Sequence, residues 1–414
     1  MPTYLKSATI KKIVQTKLNK FFASYVEGTK GWVYATQAKY QPIDIFERLI
    51  QACCENSSIE DVCDEFLGCS ADTVQTRINP LEFDQIVHQI NSFLKEIAIA
   101  FHFHGNQIMT IAIDITDKEF YGDSDHEFSK GSKPKNGTCY FNRYFTATII
   151  TPSFRLPVYF RPLRKKDSLS PHTLIQEMWD ELRSWLPIQR LLGDGFFYSQ
   201  AMVESCDFYE FDYLFNMTEY KWVKENIAVI KETLELMARA VGVDPTDIKP
   251  FWHWLGKHGL RTWKFPNQAV EATSPTSEIV LRLRYQKTKK RDGSVQEKIV
   301  FYSYVTNINA SGDYLAKLYG SKWGIETGYR VQNQFQAYTT SQFTSMRIWL
   351  TGLGFVLMAL WLFLNLLFNR FRNEISDPES LPDIFRVYRM DQLVLIAKKF
   401  LRRMQDLWRY QEGF

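Results

Sequence analysis

The sequence predicts an α/β fold with a helical N-terminal region and a β-rich insertion, and three observations carry the prediction. Residues 108–115 form a short apolar run ending near Asp114, which reads as a central strand buried on both faces. Strand-like runs follow at 139–151, 156–161, 189–193 and 213–217, and a helix-period stretch at 171–185 interrupts them. Two more strand-like runs, 278–286 and 298–305, flank Asp292-Gly293, a dipeptide suited to a hairpin turn.

Residues 1–98 read as helical. Lys6, Lys11, Lys12, Lys17 and Lys20 decorate the first stretch. Residues 58–79 then resemble a helix-turn-helix. Ser58 caps a first helix with Val62, Phe66 and Leu67 inward, Gly68 supplies the turn, and Ser70 caps a second helix over 71–78 with Val74 and Ile78 inward. That leaves Asp72, Thr73, Gln75, Thr76 and Arg77 outward, and Gln75 and Arg77 have the chemistry to read base edges or phosphates. Two-helix hairpins are equally common in plain structural bundles.

Residues 99–218 hold the first part of the alternating region, in the order three strands, helix, strand, helix, strand. Asp114 and Asp194 both follow apolar runs, Asp194 within Gly193-Asp194-Gly195. The loop 131–137 reads as a mobile segment. Residues 219–306 are too long for a plain connection and require structure of their own; they form the β-rich insertion, which carries Trp252, Trp254 and Trp263. Residues 307–370 return to the first region, and 371–414 read as a basic helical tail with Lys398, Lys399, Arg402, Arg403 and Arg409.

The chain of 414 residues is long enough for two or three domains, and 45% hydrophobic with 23% charged residues is ordinary globular composition. Net charge is only +4, but basic residues cluster at 161–166, at 288–291 and in the tail, which suits a polyphosphate partner better than the total does. The six cysteines are scattered without a CxxC pair, so neither a zinc site nor a disulfide framework is expected. No secretion signal is read at the N-terminus. Residues 348–368 carry no charge and are long enough for a bilayer span. A helix buried on all sides reads the same way. The acids upstream favour the buried helix.

The segment Tyr319-Gly320-Ser321-Lys322-Trp323-Gly324-Ile325-Glu326-Thr327-Gly328-Tyr329-Arg330 is the most informative part of the chain. Taken as one helix, Tyr319, Lys322, Glu326, Arg330 and Asn333 advance by threes and fours and share a face. It sets one carboxylate among cations. With Asp114 and Asp194 it makes three separated acids, the donor set that two-metal phosphoryl transfer needs. Each has a plainer reading. Asp117, Asp123 and Asp125 rival Asp114, Asp194 suits an ordinary turn, and Glu326 can pair with Arg330 at i,i+4.

These residues resemble the DDE transposases of bacterial and archaeal insertion sequences, in the branch with a Tyr-x2-Arg-x3-Glu-x6-Lys signature and most of all its archaeal, halobacterial-type members. The resemblance covers roughly residues 105–370. Tyr319 and Glu326 match the signature. Lys322 stands in place of its arginine, keeping the charge without the bidentate fork. Asn333 stands in place of its lysine and loses a charge, with Arg330 as the nearby substitute cation.

The resemblance implies a ribonuclease-H-like catalytic core and a transposase that cleaves and joins the ends of its insertion sequence. Asp114, Asp194 and Glu326 are its implied catalytic acids and ligands of Mg²⁺, with Mn²⁺ able to substitute. Lys322, Arg330 and Tyr319 are the implied phosphate contacts. Asn333 is a further DNA contact, and Trp252, Trp254 and Trp263 are candidate stacking rings for a flipped base. The implied partners are double-stranded DNA with terminal inverted repeats and a second copy of the chain, with no membrane, in a cytoplasmic, nucleoid-associated setting. The alternative is a transposase-derived DNA-binding protein without catalysis.

Overall fold

The computed structural model describes residues 39–40, 42–65, 68–101, 108–152, 154–165, 170–217, 221–290 and 292–373. The lysines expected near the N-terminus and the basic tail beyond 373 lie outside the described residues. The architecture is mixed α/β, built around one mixed sheet of nine strands among those residues.

Among the described residues four helices come first: α1 (Pro42–Glu55), α2 (Ile59–Glu65), α3 (Ala71–Ile78) and α4 (Phe83–Ala100). The capped hairpin read from the sequence is present as α2 and α3. Ser70 Oγ accepts from Thr73 N–H at the start of α3, and Val74 and Ile78 are buried. Of the residues expected outward, Asp72 and Thr76 are exposed, while the Gln75 amide is held by Glu60 Oε1 of α2 at 2.9 Å.

Strands β1 (Thr110–Phe120), β2 (Ser129–Lys135), β3 (Thr138–Ile150) and β4 (Arg155–Leu163) follow. Then come α5 (Pro171–Leu182), β5 (Arg190–Gly193), α6 (Gln200–Phe208) and β6 (Asp212–Asn216). β1 is central. It pairs antiparallel with β3 and parallel with β5, and β5 pairs parallel with β6. β4 runs antiparallel along the far edge of β3, which it shares with β2. From β4 to β6 the spatial order is therefore β4-β3-β1-β5-β6.

The segment expected to be a mobile loop forms β2 instead. Its Ser, Lys, Gly and Pro composition lacks an apolar face because it is an exposed edge strand, where proline is tolerated and charge discourages further pairing. The hairpin signal lay one step on: Asn136 and Gly137 both take positive φ (51° and 84°), the pair that closes a two-residue turn matching strand twist.

The expected β-rich insertion opens with two helices, α7 (Lys221–Ala240) and α8 (Ile248–Lys257), before β7 (Thr262–Pro266), β8 (Glu278–Lys289) and β9 (Val295–Thr306). Its strands do not make a separate sheet. β9 pairs antiparallel with β6 and carries the order on to β8 and β7. Trp252, Trp254 and Trp263 pack against a small core of Leu234, Ala238, Phe251, Leu255 and Leu283.

Helices α9 (Gly312–Lys322), α10 (Gly324–Asn333) and α11 (Thr344–Asn373) close the described chain. The single helix expected through Tyr319 and Asn333 is broken at Trp323, whose N–H bonds back to Gly320 O at 3.2 Å in a tightened turn. The apolar α11 packs on α4, β4 and α1, and 83% of its membrane-length window is buried. That is the buried-helix alternative. Trp349, fully buried, is its largest core side chain and stands edge-on to Phe46 at 6.4 Å.

Because α11 joins the N-terminal helices to the sheet, Trp349→Ala is expected to lower unfolding free energy by about 3–5 kcal/mol, read by urea denaturation followed by tryptophan fluorescence and circular dichroism. A loss near 1 kcal/mol would mean that this helix is not a core element.

Candidate acid-pair site

The residues before Asp114 are fully buried (Ile111, Ala112 and Ile113 each 0% exposed), which a strand with neighbours on both edges requires. The parallel register sets Ala112 beside Leu192. Two residues on, β5 has ended at Gly193 and Asp194 begins the loop beyond it, while β1 continues past Asp114 along β3 to Phe120, so Asp114 lies in mid-strand beside the C-terminal end of β5. Neighbouring strands lie about 4.8 Å apart, and continuing that register brings Asp194 near enough for its charge to act on Asp114. Gly193 is required by close approach: a Cβ there would sit 2.8 Å from the Phe215 ring. Asp194 Oδ1 accepts from Phe196 N–H at 3.0 Å, which fixes the turn as the chain leaves β5.

α9 covers this end of β5. Lys322 Nζ lies 3.5 Å from Asp114 Oδ1, and the two side chains are only 11% and 14% exposed. Tyr319 is buried, its ring 5.3 Å from that of Tyr304. Its phenol is pushed up, mainly by burial and next by the negative charge of Asp194. From α10, the Tyr329 hydroxyl shares a 2.7 Å hydrogen bond with Thr146 Oγ1, and Thr146 stands opposite Asp114 in the β1–β3 register. Burial and then the Asp114 charge hold the Tyr329 phenol well above its ordinary range.

Asp114 itself is raised above the usual carboxylate value. Burial is the largest cause, Lys322 opposes it, and Asp194 adds to it. An enclosed carboxylate, Asp114, repelled by the half-buried Asp194 and paired with Lys322, has the chemistry to bind a hard divalent cation, which takes one or two carboxylates and completes its shell with waters and phosphate oxygens.

Glu326 does not join them. It lies exposed in the first turn of α10, beyond the break at Trp323. Among the described residues no three His, Cys, Asp or Glu side chains gather as metal ligands. Arg330 makes no ion pair with Glu326 among the described residues, so the i,i+4 pairing is absent too. Asn333 is exposed at the end of α10, but its Oδ1 accepts from Lys118 Nζ of β1. Lys118 was not singled out in the sequence, although it shares β1's face with Asp114 by the period of two. Tyr329 and Thr146 were also missed, although Tyr329 stands inside the most informative segment.

Of the other candidates, Asp117 is tied to Arg143 at 3.0 Å, while Asp123 and Asp125 are exposed in the loop after β1. Trp252 stacks beneath the Arg261 guanidinium at 3.8 Å, Trp254 on Phe251 at 6.0 Å and Trp263 near Phe301 at 5.9 Å, so all three rings are engaged within the insertion.

The central mixed sheet, covered by helices from late in the chain, resembles the fold of a solved transposase. Among solved structures, a cryo-EM structure of the piggyBac transposase synaptic complex with hairpin DNA aligns with 95% of this chain and 79% of its own, at TM-score 0.50 and 10% identity. No family model matches the chain. No curated protein matches it in sequence.

The raised Asp114 gives a pH-dependent expectation. As pH rises, the unfolded carboxyl ionises first while the folded one keeps its proton. The native state then binds more protons, so stability falls from the ordinary carboxylate range up to the raised folded value and stays lowered above it. Asp114→Asn removes that penalty and is expected to raise the thermal midpoint at pH 7 in EDTA, by scanning calorimetry, while leaving it little changed at pH 3. A lower midpoint at pH 7 would show the Lys322 attraction outweighing burial.

Proposed function

We propose that the protein is a DDE-type DNA transposase that cleaves and joins the ends of its own insertion sequence. The observation that carries the reading is the pairing of Asp114 and Asp194 at the end of β5 beneath Lys322, a residue of the signature segment. The order β4-β3-β1-β5-β6, with the first two pairings antiparallel and the next two parallel, supports a ribonuclease-H-like core. The likeness to a transposase–DNA complex supports a DNA partner.

In this reading Asp114 and Asp194 would hold Mg²⁺, or Mn²⁺ in its place, with Glu326 as the third acid of the signature, although it stands exposed and apart from the pair in this structure. The bound metal supplies activation of the attacking oxygen and stabilisation of the leaving one. Lys322, 3.5 Å from Asp114, partly offsets its charge and would turn to a phosphate oxygen when one is bound. Buried, and beside the acids, Tyr319 and Tyr329 keep their protons, so each acts as a hydrogen-bond donor and not as a base. Lys118, bonded to Asn333, brings a cation to the position where the signature has its lysine. Terminal inverted repeats as substrate, a homodimer holding both ends, and a cytoplasmic, nucleoid-associated setting complete the proposal.

A second reading, a transposase-derived DNA-binding protein without catalysis, is favoured by one observation: Glu326 stands exposed and apart from the acid pair.

The purified chain is expected to nick duplex DNA carrying its terminal repeats only with Mg²⁺ or Mn²⁺. Asp194→Asn is expected to reduce nicking at least about 10³-fold while repeat binding in gel shift stays within twofold. Nicking that survives this change overturns the catalytic assignment. Binding by the unaltered chain with no metal-dependent nicking selects the second reading.

A further inference from the structure

Beyond Asp114, the same face of β1 lines a cavity of about 580 Å³, bounded also by β3, α10 and the start of α11. That is the size of a small-molecule site. Lys118 lies four residues past Asp114, roughly 13 Å along the strand, and Tyr329 touches both places. The cavity is thus a neighbour of the acid pair and separate from it.

Its charge is unbalanced. Of the acids on its wall, Asp117 is engaged by Arg143 at 3.0 Å, and Glu119 by Lys135 at 3.5 Å and the Asn136 amide at 2.9 Å. Lys118 and Arg347 have no carboxylate within ion-pair distance among the described residues. Lys118 Nζ bonds neutral amide oxygens, Gln332 Oε1 at 2.7 Å and Asn333 Oδ1. Arg347 Nε donates to Ser341 O at 2.6 Å, and its guanidinium lies 4.8 Å from the Phe120 ring centre. Two enclosed cations without acids call for an anionic ligand. On the cavity wall, Tyr121 and Tyr338 are each 65% exposed. Bare aromatic faces beside phosphate-binding cations are the elements of single-strand nucleic-acid recognition.

We propose that this cavity is a nucleotide pocket that takes one unpaired nucleotide of a DNA strand, with its phosphate on Lys118 and Arg347 and its base against Tyr338 and Tyr121. The source of that nucleotide rests on the DNA reading above; the pocket itself does not. Burial pulls the Lys118 ammonium down to about 8. The charged or titratable groups around it are Asp117 and Glu119 of β1, Lys135 of β2, Tyr144 of β3, Tyr329 of α10 and Arg347 of α11. A lysine of this kind holds phosphate when charged and releases it as pH rises past its own value.

Thymidine 5′-monophosphate, titrated calorimetrically into the full chain with EDTA present, is the probe. Binding is expected at pH 7, about tenfold weaker at pH 9 and at least about tenfold weaker in Lys118→Met. It is expected to be several-fold weaker in Tyr338→Ala, a change on an exposed ring that leaves the fold alone. No binding by the native chain, or equal affinity in both variants, overturns the pocket. Inorganic phosphate binding as tightly as the nucleotide, indifferent to Tyr338→Ala, overturns it in favour of a plain anion site. Nucleotide binding without metal-dependent nicking of repeat DNA would sustain the pocket and defeat the enzyme; nicking without nucleotide binding would do the reverse.

Discussion

The parallel register of β1 with β5 is the constraint on which the site depends. Three paired residues on each strand, Thr110 to Ala112 against Arg190 to Leu192, decide that Asp114 of β1 lies beside Asp194 at the end of β5. A slip of one residue would turn every side chain of one strand to the opposite face and separate the acids. The register is held by burial. Ala112, Leu192 and Leu214 share one core with Tyr319 and Ile325, and Ile111, Ile113 and Leu191 belong to the other. The two cores lie on opposite faces of the sheet, so neither strand can shift without exposing both.

That arrangement places Asp114 in an environment that opposes its charge. Burial and mutual repulsion raise Asp114, and Lys322 answers only part of it. Functional sites commonly hold such local conflict, because groups arranged for a ligand are not arranged for folding alone. The surrounding phenols reflect the same field, since Tyr319 and Tyr329 are both pushed toward keeping their protons.

Much of this was legible in the sequence, for identifiable reasons. The central strands were readable because burial on both faces leaves a short unbroken apolar run, which a half-exposed helix or a surface loop does not produce. β1 and β5 both deliver their acids where that run ends. Ser70 was readable as a cap because its hydroxyl has one obvious partner, the Thr73 N–H. The edge strand β2 was not, since exposure removes the apolar period that marks a strand, and only Asn136-Gly137 carried a local signal. The break at Trp323 was hidden because Gly320 and Gly324 lower helix propensity without forbidding a helix. It separates Tyr319 and Lys322, which meet the acids, from Glu326, which does not. Lys118 was missed because a lysine inside a strand reads as a solvent-facing residue; its role depends on the distant Gln332 and Asn333.

The continuity of the sheet has a mechanical side. β8 and β9 share a long antiparallel ladder, and β9 is hydrogen-bonded to β6, whose other edge holds β5. A load applied at the hairpin tip near Gly293 therefore runs through backbone hydrogen bonds to the strand that ends just before Asp194. The hairpin behaves as a cantilever rooted in the same beam as the acids, and it cannot swing independently unless the β6–β9 seam tears.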